Sequence, residues 1–307
     1  MLSFLVRHSL PLMFVMALLG FLLPDVSLAL FPFLPYVLLS LMTLTMLGIK
    51  QSSLLKEMRQ ARVWGYALFH SFGLMSVSYA LATVLYADVN LTVAMVAVAA
   101  TGSLFGTPAI VRALGFDMMA AMAMTIASTL LLPVAIYVLL MLLKADAISL
   151  DMQSYFQRLM VFILGPMLLS FVLHAVVPRV LLGNLLQKIS PYTILLVFAF
   201  PFGLIGPFRF LWDQNPMQAY YYLMIGMLLL ATFFTLTYVL YSRRGDEALV
   251  AAITSGNRNV LLTYSIAGAL LGPAFLPLAG AIQAPTYFLP MLTKWLVKRR
   301  KQKCSDE

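Results

Sequence analysis

The sequence predicts an all-α membrane protein of ten transmembrane helices in two inverted five-helix repeats. Three observations carry that prediction. Of 307 residues, 62% are hydrophobic and only 10% charged, with a mean hydropathy of +0.95. A soluble domain is about 45–50% apolar and about 25% charged, so this chain has too little polar surface to face water. That excludes a soluble enzyme, a nucleic-acid-binding domain and a disordered tail. Second, the apolar residues fall in continuous runs of membrane-spanning length, roughly 20 residues each, rather than the short alternating runs of a β-barrel. Third, polar interruptions of two runs lie about half the chain apart.

The runs, bounded by charged breaks, are 9–28, 30–49, 63–86, 91–114, 118–143, 155–178, 191–212, 218–241, 248–269 and 274–297. The first has a secretory-signal outline: Arg7, an apolar stretch, then small residues near Ser27 and Ala29. It is long, and it completes the first five-span set, so it reads as a retained span. Residues 50–62 carry Lys50, Lys56, Arg59 and Arg62 among Leu54, Leu55 and Met58, a short amphipathic helix on the inner membrane face. Among 20 Lys and Arg, the outer segments hold only Lys144, Arg158 and Arg209, and Arg258 lies inside a span. The rest are inner, which places both termini in the cytoplasm of a bacterial inner (plasma) membrane. The +9 net charge is therefore a topology signal, with the lipid bilayer as partner and no nucleic acid. The single cysteine, Cys304, permits no intramolecular disulfide.

The two interrupted runs are the most informative feature. Thr101, Gly102, Ser103, Gly106, Thr107 and Pro108 sit in the fourth; Thr254, Ser255, Gly256, Asn257, Arg258 and Asn259 sit in the ninth. Thr129–Pro133 and Thr286–Pro290 repeat a Thr-x-x-x-Pro pattern at nearly the same offset. Five spans per repeat forces the second copy to enter the membrane upside down, a recurring design of secondary transporters. Gly costs about 1 kcal/mol and Pro about 3 kcal/mol in a helix interior. Non-helical backbone at membrane depth persists only when buried in protein or facing a wet cavity. Two such breaks at equivalent positions are expected to meet.

Arg258 is the sharpest single residue. Arg at a span centre costs about 2.5–3.5 kcal/mol on insertion scales, and all eleven acids fall at predicted span ends, turns or tails. The missing partner is read as the carboxylate or sulfonate of a small organic anion, for which the planar fork of Arg is suited. The competing role is a guanidinium bonded to the carbonyls freed by the break; both roles can hold at once. Asn257, Asn259, Thr101, Ser103, Thr107 and Thr254 are the accompanying substrate-binding candidates. His70 reads first as a hydrogen-bonded core histidine and second as a proton carrier. The chain has no GxxxxGK phosphate loop. Its histidines, His8, His70 and His174, are too dispersed for an intramembrane enzyme, so no catalytic set, metal site or cofactor is expected.

The stretch Thr101–Pro133, TGSLFGTPAIVRALGFDMMAAMAMTIASTLLLP, and the stretch Ser242–Arg300 resemble the crossing regions of the bile acid:sodium symporter superfamily. The features shared are the small-residue break, the inner turn ending at Asp117, the polar break ending at Asn259 and the turn at Gly272-Pro273. The resemblance implies a core domain containing two crossing broken helices and a panel domain, moving against each other to give alternating access. It divides the chain into residues 1–62 (panel helices 1–2 and the inner connector), 63–144 (core helices 3–5), 145–212 (panel helices 6–7), 213–297 (core helices 8–10) and 298–307 (a basic cytoplasmic tail). It also implies sodium-site positions, which fall on Thr107, Pro108, Ala121, Thr125 and Thr254, with Arg258 where a Gln is usual; His70 corresponds roughly to the Gln of the second site. Thr107, Thr125 and Asn259 keep a suitable side chain, and Thr254 replaces a Glu. Arg stays protonated and would repel sodium at ~4 Å by about 4 kcal/mol at an effective dielectric of roughly 20. The expectation is a secondary transporter in which Arg258 supplies fixed charge in place of the usual two sodium ions. A sodium-coupled symporter with rebuilt ion sites and a transport-dead membrane sensor are the alternatives.

Overall fold

The computed structural model describes residues 4–5, 8–49, 51–143, 152–189, 192–288 and 291–293. Arg7, Lys50, Lys144, the end of the predicted last span, Cys304 and the basic tail 298–307 lie outside the described residues. The chain is helical almost throughout: α1 Ser9–Leu22, α2 Pro24–Leu47, α3 Gln51–Met58, α4 Ala61–Val84, α5 Val89–Ala100, α6 Thr107–Ala113, α7 Met118–Leu143, α8 Gln153–Val176, α9 Arg179–Ile189, α10 Thr193–Gln214, α11 Pro216–Tyr241, α12 Asp246–Gly256, α13 Val260–Ala267 and α14 Phe275–Ala281.

Among the described residues seven helices are long and apolar enough to cross a membrane: α2, α4, α7, α8, α10, α11 and the longer helical stretch that α14 begins. Large apolar side chains such as Leu22, Phe33, Leu142, Phe171 and Val176 are exposed, as expected for an integral membrane protein whose outer surface meets lipid. Three predicted spans are not continuous helices. Runs 91–114 and 248–269 are split into α5/α6 and α12/α13 by the two polar breaks. Run 9–28 is corrected: α1 stops at Leu22, and residues 24–28 belong to α2. The cause is Pro24, which lacks an N–H to continue a helix and disfavours helical backbone at Leu23; Leu23 has φ −118° and ψ 64°. Pro24 then opens α2 at its first position, where the missing donor costs nothing.

Two helices, α5 and α11, begin on a short polar side chain that caps them. Asp88 accepts from the Leu91 N–H at 2.9 Å before α5, and Asn215 from Gln218 N–H at 3.1 Å before α11. Helix α3 is the short helix expected within 50–62. Arg62, at the start of α4, pairs with Glu57 of α3 at 3.0 Å and Glu247 of α12 at 2.8 Å, so one guanidinium ties three elements.

Packing follows two groups. Helix α1 lies on α10, and α2 lies on α8 and α10; separately, α4 lies on α5 and α7, and α11 on α12 and α14. The second half of α10 meets α14 between them. Small residues permit the close approaches. A Cβ on Gly20 of α1 would lie 2.2 Å from the Phe202 carbonyl oxygen of α10, so this helix pair requires glycine. Proline in the spans frees carbonyls that must find partners without water. Pro207 leaves the Gly203 carbonyl without its helical donor. Ser27, fully buried on α2, donates its hydroxyl to Phe202 O at 2.7 Å and reaches Gly203 O at 3.3 Å.

Ser27→Ala is expected to lower stability by about 1 kcal/mol, since it strands a buried carbonyl. Ser40→Ala, which removes only an exposed hydroxyl bonded to its own helix, should change it by a few tenths of that. Thermal unfolding of both variants in one detergent checks the contrast.

Candidate functional site

The two breaks cross and bond to each other. Leu104 N–H donates to Asn257 O at 3.0 Å and Asn259 N–H donates to Gly102 O at 2.9 Å, closing an antiparallel bridge between Ser103 and Arg258. The backbone groups that leave their helices are thus satisfied by one another, as an apolar surrounding demands. The bridge is antiparallel, so α6 and α13 leave the crossing in opposite directions. Gly102 lets α7 pack directly against the crossing: a Cβ there would stand 2.9 Å from Thr129 Oγ1 and 3.0 Å from Thr129 Cα. Thr101 and Asn257 turn to extended backbone at the ends of α5 and α12, and the Asn259 side chain caps α13 by accepting from Leu262 N–H at 3.3 Å.

Arg258 reaches from this bridge to the C-terminal end of α5. Its Nη1 carries two hydrogens and has four acceptor atoms in range, which share them: Ala99 O and His70 Nε2 at 2.9 Å, Thr101 O at 3.1 Å and His70 O at 3.4 Å. Helix carbonyl ends carry partial negative charge and attract cations. The face of the guanidinium lies on Phe233 of α11, with Cζ 4.3 Å from the ring centroid, a contact worth about 2 kcal/mol when desolvated. Arg258 is only 3% exposed. Its Nε and Nη2, the two donors of one edge of the fork, are buried and have no hydrogen-bond partner. None of the described ion pairs includes it.

His70 sits in a π-turn, Phe69–Gly73, inside α4, a local widening common where a helix carries a functional group. It is fully buried. Its Nδ1 is 2.9 Å from Tyr66 Oη and 3.3 Å from Ser255 Oγ, which lie 3.0 Å from each other. Its Nε2 is 2.9 Å from Thr101 O as well as from Arg258 Nη1. One nitrogen cannot serve both: it accepts from Arg258 when bare and donates to Thr101 O when protonated.

The candidate binding residues, Thr125 and His70 are all buried, but their side chains do different things. Ser103 and Thr107 contact each other through their hydroxyls at 3.3 Å, and Ser103 N–H donates to Ser128 Oγ at 3.2 Å. The hydroxyls of Thr101 and Thr254 turn to their own helices, donating to Val98 O and Val250 O, so neither has a proton left to give an anion in this conformation. Thr125 Oγ1, both side-chain polar atoms of Asn257 and Asn259 Nδ2 are buried without partners. Among the described residues no three His, Cys, Asp or Glu side chains gather as metal ligands. Tyr66, Ser255 and Phe233 escaped the sequence reading as site residues. Tyr66 precedes His70 by four residues, which puts both on one helix face; Phe233 carries no such signal.

Three cavities adjoin the crossing elements. One of about 440 Å³ is lined by Gly106, Pro108 and Arg112 against Leu41, Thr45 and Gln187. One of about 680 Å³, beside α13, is lined by Tyr264, Ser265, Gly272, Pro35 and Arg158. Between Arg258, Asn259, Gln283, Thr286 and the α10 residues Phe200 and Leu204 lies a third of about 10 Å³, room for roughly one water. Comparison of the chain with protein-family models and with curated proteins finds no match.

The Arg258–Phe233 contact should appear as a coupling of about 2 kcal/mol in a double-mutant cycle of Arg258→Met and Phe233→Leu, read from unfolding in detergent. A coupling near zero would mean that the ring only fills space.

Proposed function

We propose that this chain is a secondary transporter that moves a small organic anion across the membrane by alternating access. The reading takes the fold as ten helices in two inverted five-helix repeats, with α5/α6 and α12/α13 as the crossing broken helices of a core domain. The group of α1, α2, α8 and α10 is the panel. The observation that carries it is the division of labour in Arg258. One nitrogen, Nη1, lies among the carbonyls at the end of α5, where a bound cation would otherwise be needed. The other edge, Nε and Nη2, is buried and unpartnered, and two parallel N–H donors match a carboxylate or sulfonate. Fixed charge thereby stands in for sodium, and Asn257 and Asn259 offer further amide groups beside it.

The small cavity at Arg258 holds no organic anion in this conformation, so binding requires Phe200 and Leu204 of α10 to move away from the crossing. In this reading the larger cavities, one lined by α6 residues and the other by α13 residues, are the two routes that alternating access needs. The reading puts Arg112 and Arg158, one at each cavity, in reach of an approaching anion. A second reading, sodium coupling through rebuilt sites, draws on the unpartnered Thr125 hydroxyl and Asn257 carboxamide, since sodium prefers a set of oxygen ligands.

Binding of labelled acetate, benzoate and methanesulfonate to the protein in liposomes tests the proposal, in sodium and in choline buffers. At least one probe is expected to bind equally in both. Arg258→Ala should weaken it by about 30-fold or more, the usual scale for a buried charge pair that loses one partner. Arg258→Lys, which keeps the charge but loses the fork, should weaken it about tenfold. Binding that strengthens markedly in sodium would favour the second reading instead.

A further inference from the structure

We propose that His70 is a proton-binding site coupled through Arg258 to the transported anion, so that one proton enters with each anion. This rests on the reading of Arg258 as the anion contact and adds the coupling ion to it. The geometry behind it is the shared contact at His70 Nε2, 2.9 Å from both Arg258 Nη1 and Thr101 O.

With the anion absent, a neutral imidazole keeps Nε2 bare and accepts from Arg258. Protonating it there would turn this contact donor-to-donor and set two cations side by side, with no negative group at hand. The surrounding elements bear this out. Helix α5 carries no titratable residue. Helix α7 has only Tyr137, and the later part of α4 only Tyr79, both exposed. The start of α4 brings Tyr66, and Arg62, already paired with Glu57 and Glu247. From the α12–α13 break come Ser255 and Arg258, and α11 adds Tyr241 with its ring edge against Tyr66.

An anion on the Nε–Nη2 edge supplies the missing negative charge and draws the guanidinium toward itself. Nε2 is then released from Arg258. A proton taken up on it is donated to Thr101 O, and the Nδ1 proton is donated to Tyr66 Oη or Ser255 Oγ, both already in range. Both N–H groups of an imidazolium therefore have acceptors in place. The charge balances: one anion and one proton add to a site that keeps its single fixed positive charge.

The test uses the full chain in liposomes with acetate, benzoate and methanesulfonate as probes. His8 and His174 are replaced by Gln so that His70 is the one histidine of the three. Imidazole ¹⁵N shifts then report its protonation directly. The expected result is a neutral His70 between pH 8 and pH 5.5 without anion, and a doubly protonated one with a saturating probe. About one proton should be taken up per anion, and affinity should rise about tenfold per unit fall in pH, as linkage to one proton requires. His70→Gln should make affinity independent of pH. If that variant does not fold, the shifts and proton uptake of the histidine-bearing protein decide. Arg258-dependent binding without proton uptake overturns the coupling and leaves the anion reading standing. A His70 that titrates alike with and without anion does the same. Failure of every probe to bind overturns the anion reading and the coupling with it.

Discussion

The structure depends on how two helices stop and restart within the buried interior of the protein. Each stop exposes carbonyls and each restart exposes N–H groups, and every one left alone would cost several kcal/mol in hydrocarbon. The chain meets this demand in three layers. The breaks pair with each other through Leu104, Asn257, Gly102 and Asn259. The Asn259 side chain caps the second restart. Arg258 then covers the carbonyl end of α5, at Ala99 and Thr101, with a positive charge. Without that charge, the C-terminal end of a helix would point unscreened into the protein interior.

The same arrangement explains why the site is built from several elements. Arg258 lies on one break, its carbonyl acceptors on the other, its histidine contact on α4 and its aromatic floor on α11. A shift of the crossing relative to any of these changes the partners of the guanidinium. A site of this kind responds to movement because its bonds bridge separate helices. The interior contacts of Gly20, Gly102 and Ser27 show the complementary behaviour: close backbone approach and a supplied hydroxyl hold particular helix pairs in fixed register.

Much of this was legible from residues. The run lengths and the scarcity of charge identified a membrane protein, and the Gly, Pro and Asn content of two runs located the breaks. Arg258 stood out because a lone cation at depth needs a partner, and its bonding to freed carbonyls was one of the two roles foreseen. The end of α1 was misread because apolar character continues across Leu23 and Pro24, so hydropathy saw no boundary where the backbone had one. Thr101 and Thr254 looked like ligand groups but bond their own helices, a choice that depends on rotamer and not on residue type. Phe233 was invisible, since one phenylalanine in an apolar helix differs from the next only by what lies above its ring.

By itself, the sequence determined the solvent this protein lives in, the number of apolar runs and the two places where helix could not continue. Those are properties of composition and local backbone chemistry, and no neighbour is needed to set them. The tertiary structure decided which break meets which, that they pair in antiparallel register and which edge of the Arg258 fork is consumed. It also decided that His70 Nε2 faces both Arg258 and Thr101 O. These are relations between residues as much as 188 positions apart. They arise only when packing brings separate helices to within hydrogen-bonding distance in the buried interior.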